Sequence, residues 1–181
     1  MMMVKQLAIF LILMFLLPLK VHAGPLPEDQ DKPIECLTKN IYWEAKNQSF
    51  TGQLAVALVV LNRVENSDFP NTVCKVIYEG PRYESWKTKV LPHLVKEARQ
   101  YYPRRDRCQF SWFCDGRSDV PRDSSSLSRA HRIAWLVLNG HVFDFTLGAT
   151  YYHANYVNPS WAKYKVRLVQ IDDHIFYKNK Q

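Results

Sequence analysis

Glu44 is the residue whose placement suggests chemistry. It stands in the stretch CLTKNIYWEAKNQSFTGQLAVALVVLN, residues 36–62. Leu37, Ile41, Glu44 and Gln48 follow at i, i+4, i+7 and i+11, the spacing of one helical face. Two of the four are apolar, so the carboxylate falls on the stripe expected to turn inward, with Tyr42, Trp43 and Ala45 around it. A carboxylate held against aromatic and apolar groups is costly to ionise, and its pKa rises. A raised pKa is what a general acid needs at neutral pH. The plainer alternative puts Glu44 at the rim of the stripe, salt-bridged to Lys39 or Lys46, because structural ion pairs also perturb carboxylates.

The elements around Glu44 can be read from periodicity and punctuation. Asp31 and Pro33 suit a helix start, and the first helix is expected to run to about Lys46. Ser49 or Thr51 can cap the next. LAVALVVL, residues 54–61, is almost wholly apolar; with its flanks, from about Phe50 to Val64, its length favours a buried central helix over a strand. A turn over Asn66–Pro70 leads to a short helical or extended piece, Thr72–Tyr78. Leu91, Leu94, Val95 and Ala98 recur at helical spacing, so an amphipathic helix is expected within Ser85–Tyr102, after Pro92. Cys108–Asp123 reads as a loop, followed by a helix that starts near Ser124 and ends at Asn139-Gly140. The last third changes period: Ala149–Ala154 and Tyr164–Gln170 read as strands, with Asp172-Asp173 turning the chain into His174–Lys178. The expected fold class is α+β, a helical body with a small antiparallel β-sheet formed largely by the C-terminal third.

The N-terminus has the signature of an export signal. Lys5 precedes an apolar run, Leu7–Leu17, and Val21-His22-Ala23 is a small-x-small cleavage site. The run is short for a membrane span, which takes about 20 residues. The expected organisation is a signal peptide over 1–23, a polar lead-in over 24–32 and one domain over 33–181, with residues 79–107 a basic insertion. Four cysteines, Cys36, Cys74, Cys108 and Cys114, are an even count in an exported chain and suggest two disulfides. Three pairings are possible; Cys108 with Cys114 would staple a loop, and Cys36 with Cys74 would tie the first helix to the segment after the second. The formal charge is +7, and removing Lys5 and Lys20 with the signal leaves +5. A basic exported protein favours anionic wall or outer-surface polymers, with the insertion as the contact, and lacks a nucleic-acid-binding motif. A solvated charged face is the alternative for the insertion.

The blocks IYWEA, GQLAVALVVLNRV, FPNTVCKVIY, CQFSWFCDG, GATYYHANYVNPSWA and DHIFY resemble, in order, the cell wall hydrolase family of the spore-cortex-lytic (SleB/CwlJ) type. The resemblance runs from about Cys36 to Tyr177 and implies a lysozyme-like body. It implies an exported enzyme, periplasmic or in the cell wall, that cleaves peptidoglycan glycan strands as a monomer without cofactor or metal. Glu44 then matches the family's catalytic acid. A single glutamate suffices for a lytic transglycosylase acting on the MurNAc–GlcNAc bond. A muramidase-type hydrolase would add a second carboxylate, from Asp115, Asp119, Asp144 or Asp172. Gln109, Ser111 and Trp112 match the Q-F-S-W block and are the expected substrate contacts, the first two by hydrogen bonding and Trp112 by its flat face, unless it packs in the core. Tyr151 and His153 match Y-x-H; two apart on a strand, they point to one face and could both reach a cleft. His174 also matches and is expected to be structural. The chain departs from the family pattern at Lys46–Ser49, where a change could alter the cleft beside Glu44, and at Asp172, where only the hairpin should feel it.

Three other readings use the same residues. A thiol peptidase would employ Cys114 and His153, a zinc hydrolase His153, His174 and Asp172, and a non-catalytic glycan-binding module the aromatics alone.

Overall fold

The computed structural model describes residues 31–180, so the expected signal peptide and most of the lead-in lie outside the described residues. Helix α1 is Asp31–Ala45, α2 Phe50–Glu65, α3 Val73–Ile77, α4 Trp86–Lys89 and α5 Ser124–Leu138. Two short strands, β1 (Arg82–Glu84) and β2 (Tyr101–Pro103), pair antiparallel. A second antiparallel sheet is ordered β3-β5-β4, with β3 at Tyr151–Ala154, β4 at Lys165–Ile171 and β5 at His174–Asn179. Among the described residues no helix is long and apolar enough to cross a membrane.

Apolar stripes dictate the packing. Leu37 and Ile41 of α1, Val60 of α2, Val76 and Ile77 of α3, and Ile133 and Ala134 of α5 are sealed from solvent in one core. The LAVALVVL segment has two buried faces, as a central helix must: Ala57 and Val60 join that core, while Ala55 and Val59 meet Phe176 and Ala149 beneath the three-stranded sheet. The sheet therefore lies across α2, packed on it through these side chains. Cys36–Cys74 and Cys108–Cys114 are the two disulfides; the first ties α1 to α3 and the second closes the loop ahead of α5.

The caps fall where short polar residues precede apolar runs. Ser49 Oγ accepts from the Gly52 N–H at 3.1 Å, and Asp123 caps α5 by accepting from Ser125 and Ser126. The serine hydroxyls and amides at Asp123 hold its carboxyl down at about 2.

Two expectations are corrected here. No amphipathic helix forms within Ser85–Tyr102. The chain instead makes α4, a 3-10 turn at Lys96–Ala98 and the β1–β2 pair, and Val95 is exposed. Pro92 ends any helix before it, and four apolar residues with no core to face cannot sustain one after it. Nor is Asp172 confined to its hairpin. In left-handed backbone (φ 48°), it accepts the Ser49 N–H at 2.8 Å on Oδ2. Gln48 exchanges hydrogen bonds with Asp173 alongside. A Cβ on Gly52 would stand 2.3 Å from Asp172 Oδ2, so glycine is what lets the turn approach α2 this closely. The two departures from the family pattern thus touch each other, latching the segment after Glu44 to the sheet.

Candidate active site

Glu44 sits in the last turn of α1, where the inward stripe runs out into a cleft. Its Oε2 accepts a hydrogen bond from the Tyr152 hydroxyl at 2.8 Å. Burial raises the Glu44 pKa, while the Tyr152 hydrogen bond and the Arg63 charge pull it partway back. The group is therefore biased toward the protonated acid yet has two partners waiting for the carboxylate. Because Tyr152 donates to Oε2, the acid proton belongs on Oε1.

Arg63 supports this from below. It is buried near the end of α2, one turn after Val59, and its Nε donates to the Thr150 carbonyl at 2.7 Å. With the Gln109 amide assigned so that both groups are satisfied, its oxygen accepts from the two terminal nitrogens at 3.1 and 2.9 Å. The guanidinium also stacks between Phe69 and Phe110. Burial lowers the Arg63 pKa, but an arginine remains charged in proteins, so the positive charge persists under the site. Tyr152 in turn is pushed well up by burial and by the adjacent Glu44, so it stays a neutral donor.

The cleft extends both ways from Glu44, Ser111 and Tyr152, which border both halves. The larger half, about 800 Å³, takes in Trp43, Asp115, Asp119, His153 and Tyr156. The smaller, about 480 Å³, is walled by Arg63, Gln109, Tyr151 and Trp161. A carboxyl at the waist of a two-sided groove is placed to act on a bond in the middle of a polymer.

The expected site residues are distributed as follows. Ser111 lies at the waist beside Glu44. Gln109 walls the smaller half and is engaged by Arg63. Tyr151 and His153 share a face, both against Trp161 with ring centroids 5.9 and 5.5 Å away, Tyr151 facing one half of the cleft and His153 the other. His153 Nε2 lies 2.9 Å from the Tyr177 hydroxyl. Trp112 borders the cleft but is buried, its indole N–H donating to Asn40 Oδ1 at 3.0 Å, so most of its face is spent on the core. His174 is buried behind Tyr152, ring centroids 5.1 Å apart. The salt bridge to Lys39 or Lys46 does not form; Lys46 lies over the Tyr42 and Trp43 rings.

Two residues that sequence reasoning passed over are at the centre. Tyr152 faces opposite to Tyr151 and His153, and that face is the one that meets Glu44. Arg63 carried the same signal as Glu44, a charge on a buried helical stripe. Asp144 and Asp172 are occupied elsewhere, Asp144 by Thr146, Gly148 and Asn62, and Asp172 by Ser49. Cys114 is disulfide-bonded, which removes the thiol a peptidase needs. Among the described residues no group of three His, Cys, Asp or Glu side chains is arranged to hold a metal ion.

A helical body packed on a small sheet, with a part-buried glutamate in the groove between them, is a lysozyme-like arrangement. The family model for cell wall hydrolases matches residues 47–177, and the chain belongs to that family. Among solved structures, the catalytic domain of the germination-specific lytic transglycosylase SleB from Bacillus anthracis superposes with a TM-score of 0.57 at 26% identity, covering 86% of this chain and 100% of that one. The SleB catalytic domain of Bacillus cereus gives 0.52 at 25%, covering 84% and 95%. A spore cortex-lytic enzyme of Halalkalibacterium halodurans is 27% identical over 147 residues, 81% of this chain and 34% of that protein. A Bacillus cereus counterpart is 46% identical over 46 residues, 25% of this chain and 18% of its own. The chain thus spans about a third or less of these full-length relatives.

Proposed function

We propose that the protein is an exported lytic transglycosylase that cleaves peptidoglycan glycan strands at the MurNAc–GlcNAc bond, acting as a monomer at the cell wall. The observation that carries this is Glu44 at the waist of the cleft, its pKa raised by burial and its carboxylate form supported by Tyr152 and Arg63. Glu44 Oε1–H protonates the bridging oxygen, and the C1–O bond breaks as GlcNAc leaves with the proton. The oxocarbenium-like muramoyl ring is held in a groove that is aromatic on both sides. The Glu44 carboxylate then takes the proton of the C6 hydroxyl as its oxygen bonds to C1, giving a 1,6-anhydro end. No water is consumed and Glu44 finishes protonated, ready for the next bond. Gln109, Ser111, Tyr151 and His153 are assigned to sugar contacts along the two halves, and Trp112 to the wall behind them.

A muramidase mechanism is the second reading, because Asp115 and Asp119 do line the larger half of the cleft. Burial and the neighbouring Asp115 raise the Asp119 pKa, which strengthens its carboxylate as a base and makes it the candidate that this reading would use. Digestion of purified peptidoglycan in H2(18)O separates the two. The expected products are 1,6-anhydromuramoyl ends without label; reducing muramic ends carrying the heavy oxygen would establish hydrolysis instead.

A further inference from the structure

The charge of the protein is concentrated in one place. Residues 79–107 contain eight Lys or Arg and four Asp or Glu, a net +4 of the +5 that residues 24–181 carry. Among the described residues this region's ion pairs are Arg99–Glu84, at 2.8 Å, and Arg105–Asp106, at 3.7 Å. Arg82, Lys87, Lys89, Arg104 and Arg107 have no carboxylate partner there and are exposed.

The same region exposes what a folded domain normally hides. Trp86 is 71% exposed, Val90 65% and Val95 65%. Trp86 and Val90 are one helical turn apart, with the Val90 N–H donating to the Trp86 carbonyl, so they project from one side of α4. Lys87 and Lys89 lie between them in sequence, while Thr88 is buried, its hydroxyl accepting the Gln100 N–H just ahead of β2. On β1 and β2, Tyr83 and Tyr102 stand opposite each other with ring centroids 6.1 Å apart, both about half exposed. A soluble polyanion would be satisfied by cations alone and gains nothing from a bare tryptophan and two bare valines. A membrane interface takes all three classes at once: cations at the headgroup phosphates, aromatic rings at the boundary and aliphatic groups just below it.

We infer that the α4 and β1–β2 region is an interfacial membrane-docking surface, recognising anionic phospholipid headgroups through Lys87, Lys89 and Arg82 and inserting Trp86 and Val90. It would hold the enzyme against a bilayer beside its wall substrate. This goes beyond the proposed chemistry and does not depend on it, since it uses no residue of the cleft.

The test is sedimentation of the full chain with phosphatidylglycerol-rich vesicles and with pure phosphatidylcholine vesicles, at low and high salt. Binding to phosphatidylcholine sets, for each variant, the charge-independent background above which the anionic excess is measured. The expected result is excess binding to the anionic vesicles that high salt weakens. Lys87→Glu with Lys89→Glu is expected to reduce that excess about tenfold or more. Trp86→Ser with Val90→Ser reduces it as well, and brominated acyl chains quench a tryptophan signal that Trp86→Phe lacks. No excess on anionic vesicles, or an excess that neither double variant changes, overturns the inference. So does loss with the lysine variant alone while Trp86 stays unquenched, which would mark the surface as a polyanion site. Cleavage of purified peptidoglycan is expected to be the same in all these variants, so failure here is distinguishable from failure of the enzymatic reading.

Discussion

Glu44 and Arg63 are charged groups drawn out of water and matched there; the cations of residues 79–107 are left in water and mostly unmatched. At the cleft the three central groups are placed by packed elements: Glu44 by α1, Arg63 by α2, and Tyr152 by a strand that lies on α2. In the basic region the elements are three or four residues long, and they turn their apolar side chains outward. Low dielectric and fixed partners let a few groups shift a proton equilibrium. Exposure leaves many groups free to meet something else. On the proposed reading, one chain uses charge for chemistry in one region and for attachment in the other.

If that division is right, substitutions should separate cleanly. Glu44→Gln should cost the most, about a thousandfold in cleavage rate, with the melting temperature kept or raised because a buried acid has been replaced by a neutral isostere. Arg63→Met comes next. It strands the Thr150 carbonyl and the Gln109 oxygen, so about 3 kcal/mol of stability should be lost in urea unfolding. Equal stability would mean that Arg63 is solvated rather than structural. Tyr152→Phe should act through pH. Its hydrogen bond favours the Glu44 carboxylate, so removing it raises the Glu44 pKa further. The alkaline limb of the pH–rate profile is expected to move upward, while stability falls by about 1 kcal/mol. A downward move contradicts the assigned geometry. The smallest effects belong to the basic region: Lys87→Glu should change stability by no more than about 0.5 kcal/mol and leave the pH profile in place.

The stability curve has a corresponding sign. Glu44 has a folded pKa above its unfolded value, so the neutral acid is the form that burial favours. Its effect on stability is least at pH below the unfolded pKa and becomes unfavourable as pH rises through that value toward the folded one. Glu44→Gln removes that slope.

Much of this was legible in the sequence because periodicity and burial are the same fact. The Leu37–Ile41–Glu44 stripe put a carboxylate on the inward face, and LAVALVVL announced a buried central helix. The expected disulfide pairings, Cys36–Cys74 and Cys108–Cys114, are those observed, since one closes a short loop and the other joins neighbours in the bundle. What failed was the expected helix after Pro92, where spacing without a core to face carries no force. What stayed hidden was contact across distance. Tyr152 lies 108 residues from Glu44, and Asp172 lies 123 from Ser49, separations that no local pattern spans.

The most direct measurement is mass spectrometry of purified peptidoglycan digested by the wild type and by folded Glu44→Gln. The account predicts fragments ending in 1,6-anhydromuramic acid from the wild type and intact strands from the variant. Cleavage by Glu44→Gln at the wild-type rate, or cut peptides on uncut glycan, would contradict it.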